Sequence, residues 1–294
     1  MDGMRLLLTG LIATLTVALL PSVPAAASVA DHYLTETSAS DSSSPKTITV
    51  TCPDGQIVYG FGGATQDGDG QVALTSILPN IGLTAVTVVA QARGGWTGNW
   101  SVMAVASCWA PGNLALHRVV TTNGTASATA SCQGEKIVYS TGFVVTSTSG
   151  NPFIDSVVPS FDLSSVEVHG GGVLFGQVEV KAVALCGFRM PGPYPFYKQR
   201  TQDTVPVAAG TTTTATADKA HISIAGVNWI FGAGASSTRP GMFIDALGPS
   251  PALDGGWARM SRGTGVAAKT AKAMAGTEDD DTVTAYGVCI GTWY

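Results

Sequence analysis

The chain has 294 residues, 45% of them hydrophobic and only 12% charged, with 36 glycines. That composition excludes disorder throughout and favours short strands joined by turns over long amphipathic helices. A formal net charge of -5, without any Lys/Arg patch interleaved with aromatics, argues against a nucleic-acid partner.

The N-terminus reads as a secretory signal peptide over residues 1–27. Met4-Arg5 supplies the positive region, LLLTGLIATLTVALL (6–20) the apolar stretch, and PSVPAAAS (21–28) a small-residue exit with Ala25-x-Ala27. The alternative is an uncleaved anchor, since the apolar core is slightly long. No later segment offers the roughly eighteen uninterrupted apolar residues of a membrane helix, so a secreted, extracellular protein with no membrane span after cleavage is expected. Residues 28–46 have little to bury and read as a flexible leader.

From residue 47 the chain repeats. TCPDGQIVYG (51–60) returns as SCQGEKIVYS (131–140), and the same shift of 80 superposes Pro79 on Pro159 and Leu83 on Leu163. FIDSVVPS (153–160) recurs as FIDALGPS (243–250), and CPDG (52–55) is matched with SIAG (223–226), which defines a third copy. The units are repeat 1 at 47–112, repeat 2 at 125–190 and repeat 3 at 220–294, with a linker at 191–219. Strands are predicted near 47–52, 56–64, 71–78, 83–92 and 99–108, and at corresponding places in the later units. The connector at 110–125 and a linker carrying Tyr194, Phe196, Tyr197 and a Thr tract separate them. The prolines and aromatics of the linker suit a lid, and its Thr tract reads as unstructured.

Each unit closes on an alternating strand: WSVMAVASC (100–108), VEVKAVALC (178–186) and DTVTAYGVC (281–289). One face carries Trp100, Val102, Ala104, Ala106 and Cys108, and its counterparts in unit two are Val178, Val180, Ala182, Ala184 and Cys186. In an oxidising compartment the cysteines are disulfide partners first. Cys52 with Cys108 and Cys132 with Cys186 would each tie the first strand of a unit to its last. Ser223 takes the opening position in unit three, leaving Cys289 over as a buried hydrophobe or the link of a homodimer.

A Cys followed by a Gly turn, a Gly-rich second strand, a mid-unit Pro and a closing Trp-x-Val-x-Ala-x-x-x-Cys resemble modules of secreted actinobacterial proteins. Three such units around an axis are similar to the β-prism of the vitelline membrane outer layer protein I family. Its acidic Asp-Asp-Thr signature is not found at matching positions in each unit, so the resemblance carries architecture and no functional residues. It implies an all-β, threefold prism of three antiparallel β units; tandem small β-sandwich modules are the alternative.

Signs of catalysis are absent from the sequence. There is no Gly-x-Ser-x-Gly and no His-Glu-x-x-His, and the four histidines lack metal or triad spacing. DGDG (67–70) lacks the later ligands of a calcium loop, and EDDD (278–281) reads as a solvated loop, so no metal or cofactor is expected. Asp155 and Asp245 occupy equivalent places in FID, where unit one has Thr75. Alternation puts them on the face of Phe153/Val157 and Phe243/Leu247, and an acid there needs partners. It either bonds backbone N–H groups at a strand end or grips sugar hydroxyls. His169, before a Gly run, is a candidate ligand contact. Trp96 and Trp257, each after Gly-Gly in an expected loop, are candidate platforms for a sugar ring. The expectation is a secreted, non-catalytic binding protein for carbohydrate or cell envelope. The alternatives are an extracellular polysaccharide hydrolase using Asp155 and Asp245, and a structural envelope component or inhibitor.

Overall fold

The computed structural model describes residues 32–123, 126–148, 151–171, 178–189, 196–207, 212–218, 226–239, 241–262 and 281–293; the expected signal peptide and Tyr194 lie outside them. The described residues contain eighteen strands and no α-helix, six strands per unit. Unit one comprises β1 (Tyr33–Thr37), β2 (Lys46–Thr51), β3 (Ile57–Gln66), β4 (Val72–Pro79), β5 (Ala85–Ala92) and β6 (Ser101–Trp109). Unit two comprises β7 (His117–Asn123), β8 (Ser127–Ser131), β9 (Ile137–Ser147), β10 (Phe153–Pro159), β11 (Ser165–Gly171) and β12 (Val178–Gly187). Unit three comprises β13 (Phe196–Pro206), β14 (Thr212–Asp218), β15 (Gly226–Ser237), β16 (Met242–Pro249), β17 (Gly255–Arg262) and β18 (Thr282–Trp293).

These strands form three six-stranded antiparallel sheets, ordered β1-β6-β3-β16-β17-β14, β13-β18-β15-β10-β11-β8 and β2-β5-β4-β9-β12-β7. Every sheet takes three strands from one unit and three from another. Independent sandwich modules are thereby ruled out, and the three sheets are the faces of a threefold prism. The chain expected as leader, connector and linker supplies edge strands: β1 pairs with β6, β7 with β12, β13 with β18, and β14 brings the Thr tract onto β17. An edge strand needs only one ladder and little apolar surface, which is why hydropathy does not announce it.

Units meet at short seams, where β3 pairs with β16, β4 with β9 and β10 with β15 over one or two residues each. Gly62, Gly142 and Gly234 lie at these seams in equivalent positions. A Cβ on them would come within 2.3 Å of the Leu247 carbonyl oxygen, 2.4 Å of that of Ile77 and 2.4 Å of that of Val157.

Two bulges recur in every unit. One falls at Tyr59, Tyr139 and Phe231, the last residue of the Ile-Val-Tyr motif or its counterpart. A bulge re-aims its side chain, and these three rings converge, with Phe231 lying 6.0 Å from Tyr59 and 6.1 Å from Tyr139. The second falls at Thr75, Asp155 and Asp245. A third repeated feature is a leucine in the left-handed region, at Leu83, Leu163 and Leu253. Each is buried, and its carbonyl accepts the N–H of Val58, Val138 or Ile230.

The closing strands behave as their alternation predicts. Trp100, Val102, Ala104, Ala106 and Cys108 are fully buried, as are Val180, Ala182, Ala184 and Cys186, and Val283, Ala285 and Cys289. Both expected disulfides are formed, with Cα–Cα separations of 5.6 Å for Cys52–Cys108 and 5.5 Å for Cys132–Cys186. Ser223, expected at the opening position of unit three, lies outside the described residues. Cys289 faces the interior of β18, so a bridge to a second chain would first have to open that sheet.

Candidate functional site

Two clefts among the described residues lie at opposite ends of β15. The first gathers Asp155 and His169 with Ser156, Ser236, Ser237, Thr238, Arg239, Gly241 and Met242 around about 380 Å³. β10 and β11 supply the acid and the imidazole, because Ser156 pairs with His169 and Ile154 with Gly170, leaving Asp155 as the bulged residue between them. Strict alternation fails at such a point. The core-facing positions switch from Ile154 to Val157, so counting along FID does not fix the face of the acid.

Burial holds the Asp155 carboxyl above the usual carboxylate range, opposed by the charge of His169. His169 turns its Nε2 to Glu167 Oε1 at 3.0 Å. Arg239 Nε lies 3.5 Å from Asp281 Oδ2, so the last residue of EDDD serves an ion pair before β18. A raised folded-state pKa favours the protonated form. The associated stability is therefore present below the unfolded value, 3.8, and is lost as pH rises through the folded one. Asp155→Asn is expected to raise the urea midpoint at pH 7 relative to the native protein, with the advantage shrinking toward pH 3. An unchanged or lower midpoint at pH 7 contradicts it.

Asp245 has the equivalent backbone position and a different environment. It is 2% exposed. Its Oδ1 accepts from Arg259 Nε at 2.9 Å and its Oδ2 from Ser261 Oγ at 2.6 Å. Arg259 Nη2 also donates to the Thr65 carbonyl and hydroxyl, tying unit three to unit one. Burial pushes the carboxyl up while Arg259 and Ser261 pull it back. Both oxygens of Asp245 are thus engaged by side chains of its own unit, and the acid is almost wholly buried.

The two expected tryptophan platforms are both used in packing. Trp257 lies within β17 rather than in a loop, its Nε1 donates to the Pro249 carbonyl at 2.8 Å, and its ring lies against Gly248. Trp96 does sit in a turn, with its N–H bonded to the Arg93 carbonyl, but its ring folds over Gly98 and packs against the core.

The second cleft, about 370 Å³, escapes the sequence. It is lined by Tyr59, Trp109, Trp229, Phe231 and the β6–β7 loop residues Ala110, Gly112, Asn113 and Leu114. Trp109 closes β6 in unit one and Trp229 opens β15 in unit three, with ring centroids 6.2 Å apart. Trp109 is held from behind by His32, stacked at 3.8 Å. The Tyr59 hydroxyl donates to the Ala110 carbonyl at 3.2 Å and accepts from the Gly112 N–H at 3.1 Å, which fixes the loop wall. The Trp109 indole N–H has no acceptor among the described residues. In strand register Trp109 corresponds to Gly187 and Ile290, and Trp229 to Ile57 and Ile137. One of the three equivalent corners is therefore aromatic, and the other two carry glycine or isoleucine.

Among the described residues no group of three or more His, Cys, Asp and Glu could hold a metal ion, and no helix is long and apolar enough to cross a membrane. Comparison with protein-family models finds no matching family, and comparison with curated proteins finds no match.

Proposed function

We propose that this chain is a secreted, non-catalytic binding module. It takes a sugar ring of an extracellular or cell-envelope glycan against the aromatic wall that Trp109 and Trp229 form. The observation that carries this reading is the departure from threefold repetition at one corner. A residue required by the scaffold recurs in each unit, as the seam glycines do, whereas the two indoles occur once and face a common cleft. Indole faces pack against the C–H face of a pyranose. Asn113 and the loop backbone offer polar contacts at the rim, and the volume falls within the roughly 300–1,000 Å³ of small-molecule sites. The conserved-geometry pair expected of a hydrolase gains no support, because Asp245 is sealed by Arg259 and Ser261.

The test is retention of the mature protein on a panel of immobilised polysaccharides, followed by titration of any ligand it selects. Trp109→Ala should weaken binding at least tenfold, a loss of one stacked ring being worth about 1.4 kcal/mol or more. Trp257→Ala should leave affinity within twofold, since that indole is used in packing. No retention by any polysaccharide, or an equal loss in both variants, would remove the glycan reading in favour of a structural envelope role.

A further inference from the structure

The Asp155 cleft can be compared with its own counterpart in unit three. Phe153 pairs with Gly171 and Ser156 with His169, as Phe243 pairs with Ser261 and Ala246 with Arg259. The two acids are therefore equivalent, and so are the residues facing them. In unit three both donors to the carboxylate come from those facing positions, Arg259 Nε at 2.9 Å and Ser261 Oγ at 2.6 Å. In unit two both have been replaced. His169 stands for Arg259 and is drawn 3.0 Å from Glu167. Gly171 stands for Ser261, and its place is taken by the Phe153 ring, which a Cβ there would meet at 2.4 Å. The acid has been kept while its guanidinium and hydroxyl have gone, and a cleft of about 380 Å³ opens beside it.

We propose that this cleft is a socket for a guanidinium or primary ammonium group brought by a ligand, in the position that Arg259 fills in unit three. The charges around it fit that chemistry. Asp155 and Glu167 face His169, and Arg239 is paired with Asp281, so an entering cation meets the Asp155 carboxylate with no cation of the described residues hydrogen-bonded to it. Four hydroxyl side chains, Ser156, Ser236, Ser237 and Thr238, line the remainder. They suit either the hydroxyls of an amino sugar or the outer N–H groups of a guanidinium. A bound cation would offset the burial that holds Asp155 above its ordinary range, so binding and ionisation of the acid are linked. The proposal is independent of the aromatic cleft, which lies at the other end of β15.

The mature protein is titrated separately with methylguanidinium and with a non-acetylated glucosamine tetramer, and the N-acetylated tetramer serves as the neutral control. Binding is followed by chemical shifts of the His169 ring and by calorimetry. Saturable binding of at least one cationic probe, read at the His169 ring, is expected, with at least tenfold weaker binding of the neutral one at that ring. Preference for the glucosamine tetramer assigns the socket to amino sugars, and comparable binding of both assigns it to small cations generally. Asp155→Asn should weaken binding tenfold or more. His169→Arg should do the same by filling the socket internally, with the denaturation midpoint equal to or above that of the native protein, so that loss of fold is not confused with loss of the site. The proposal is overturned if neither cationic probe saturates the shifts of the His169 ring, if the neutral tetramer shifts that ring equally, or if Asp155→Asn binds methylguanidinium within twofold of the native protein.

Discussion

Gly142→Ala is expected to destabilise the fold by about 3 kcal/mol or more, at the upper end of overpacking effects, and to reduce the yield of folded protein. The added methyl would lie 2.4 Å from the Ile77 carbonyl oxygen and 2.8 Å from the Phe61 ring. Ile77 is backbone of β4, whose ladder with β9 at this seam consists of only Ser76↔Val144 and Ile77↔Phe143. Moving the carbonyl away therefore opens the junction between units one and two. Because every sheet is shared, a breach at one seam removes the partner strands of two units. Gly62→Ala and Gly234→Ala should behave alike, since each seam presents a carbonyl at nearly the same distance. Gly82→Ala is the control: the nearest atom to its Cβ would be 3.9 Å away, and its midpoint should change by less than about 0.5 kcal/mol. Urea denaturation of the purified proteins decides it. A Gly142→Ala midpoint as close to native as that of Gly82→Ala would show that the seam can relax.

How much of this was readable beforehand depended on how local each cause was. The β class, the repeat, both disulfides and the buried face from Trp100 to Cys108 follow from spacing within one unit, and they were legible. The glycines of GFGGAT, STGFVV and FGAGAS are visible in the sequence as Gly62, Gly142 and Gly234, but their role needs the knowledge that each faces a carbonyl of another unit. Period-two reasoning failed at Asp155 and Asp245 because a bulge resets the phase at that residue, and nothing in FID marks the bulge. It also missed β1, β7, β13 and β14, whose edge positions require little apolar surface. The aromatic cleft was the least accessible feature. Trp109 and Trp229 stand 120 positions apart and meet only because β15 of unit three closes back toward the end of β6. One signal was available: aligning the closing strands sets Trp109 against Gly187 and Ile290, and a departure from repetition is a better pointer to a site than a Gly-Gly-Trp triplet.

The same logic distinguishes the two disulfides, whose sequence separations are 56 and 54. In the chain-entropy model the loops are of nearly equal length, so removing either bridge should cost about 4 kcal/mol, a large part of the roughly 5–15 kcal/mol that typically stabilises a domain. Their effects on the aromatic cleft should differ. Cys108 immediately precedes Trp109, and its carbonyl lies 2.9 Å from His32 Nδ1, the ring stacked behind the indole. The Cys52–Cys108 bridge therefore fixes the strand end that presents Trp109. Cys132–Cys186 fixes the equivalent corner, where Gly187 presents nothing. Cys52→Ala/Cys108→Ala and Cys132→Ala/Cys186→Ala should lose similar amounts of stability in urea. Only the first pair should weaken, at least fivefold, binding of a glycan retained by the native protein when affinity is measured well below either denaturation midpoint. Equal affinities in the two variants would mean that β6 holds Trp109 without the bridge, and a much smaller stability loss in one of them would mean that its unfolded chain is already restrained by other contacts.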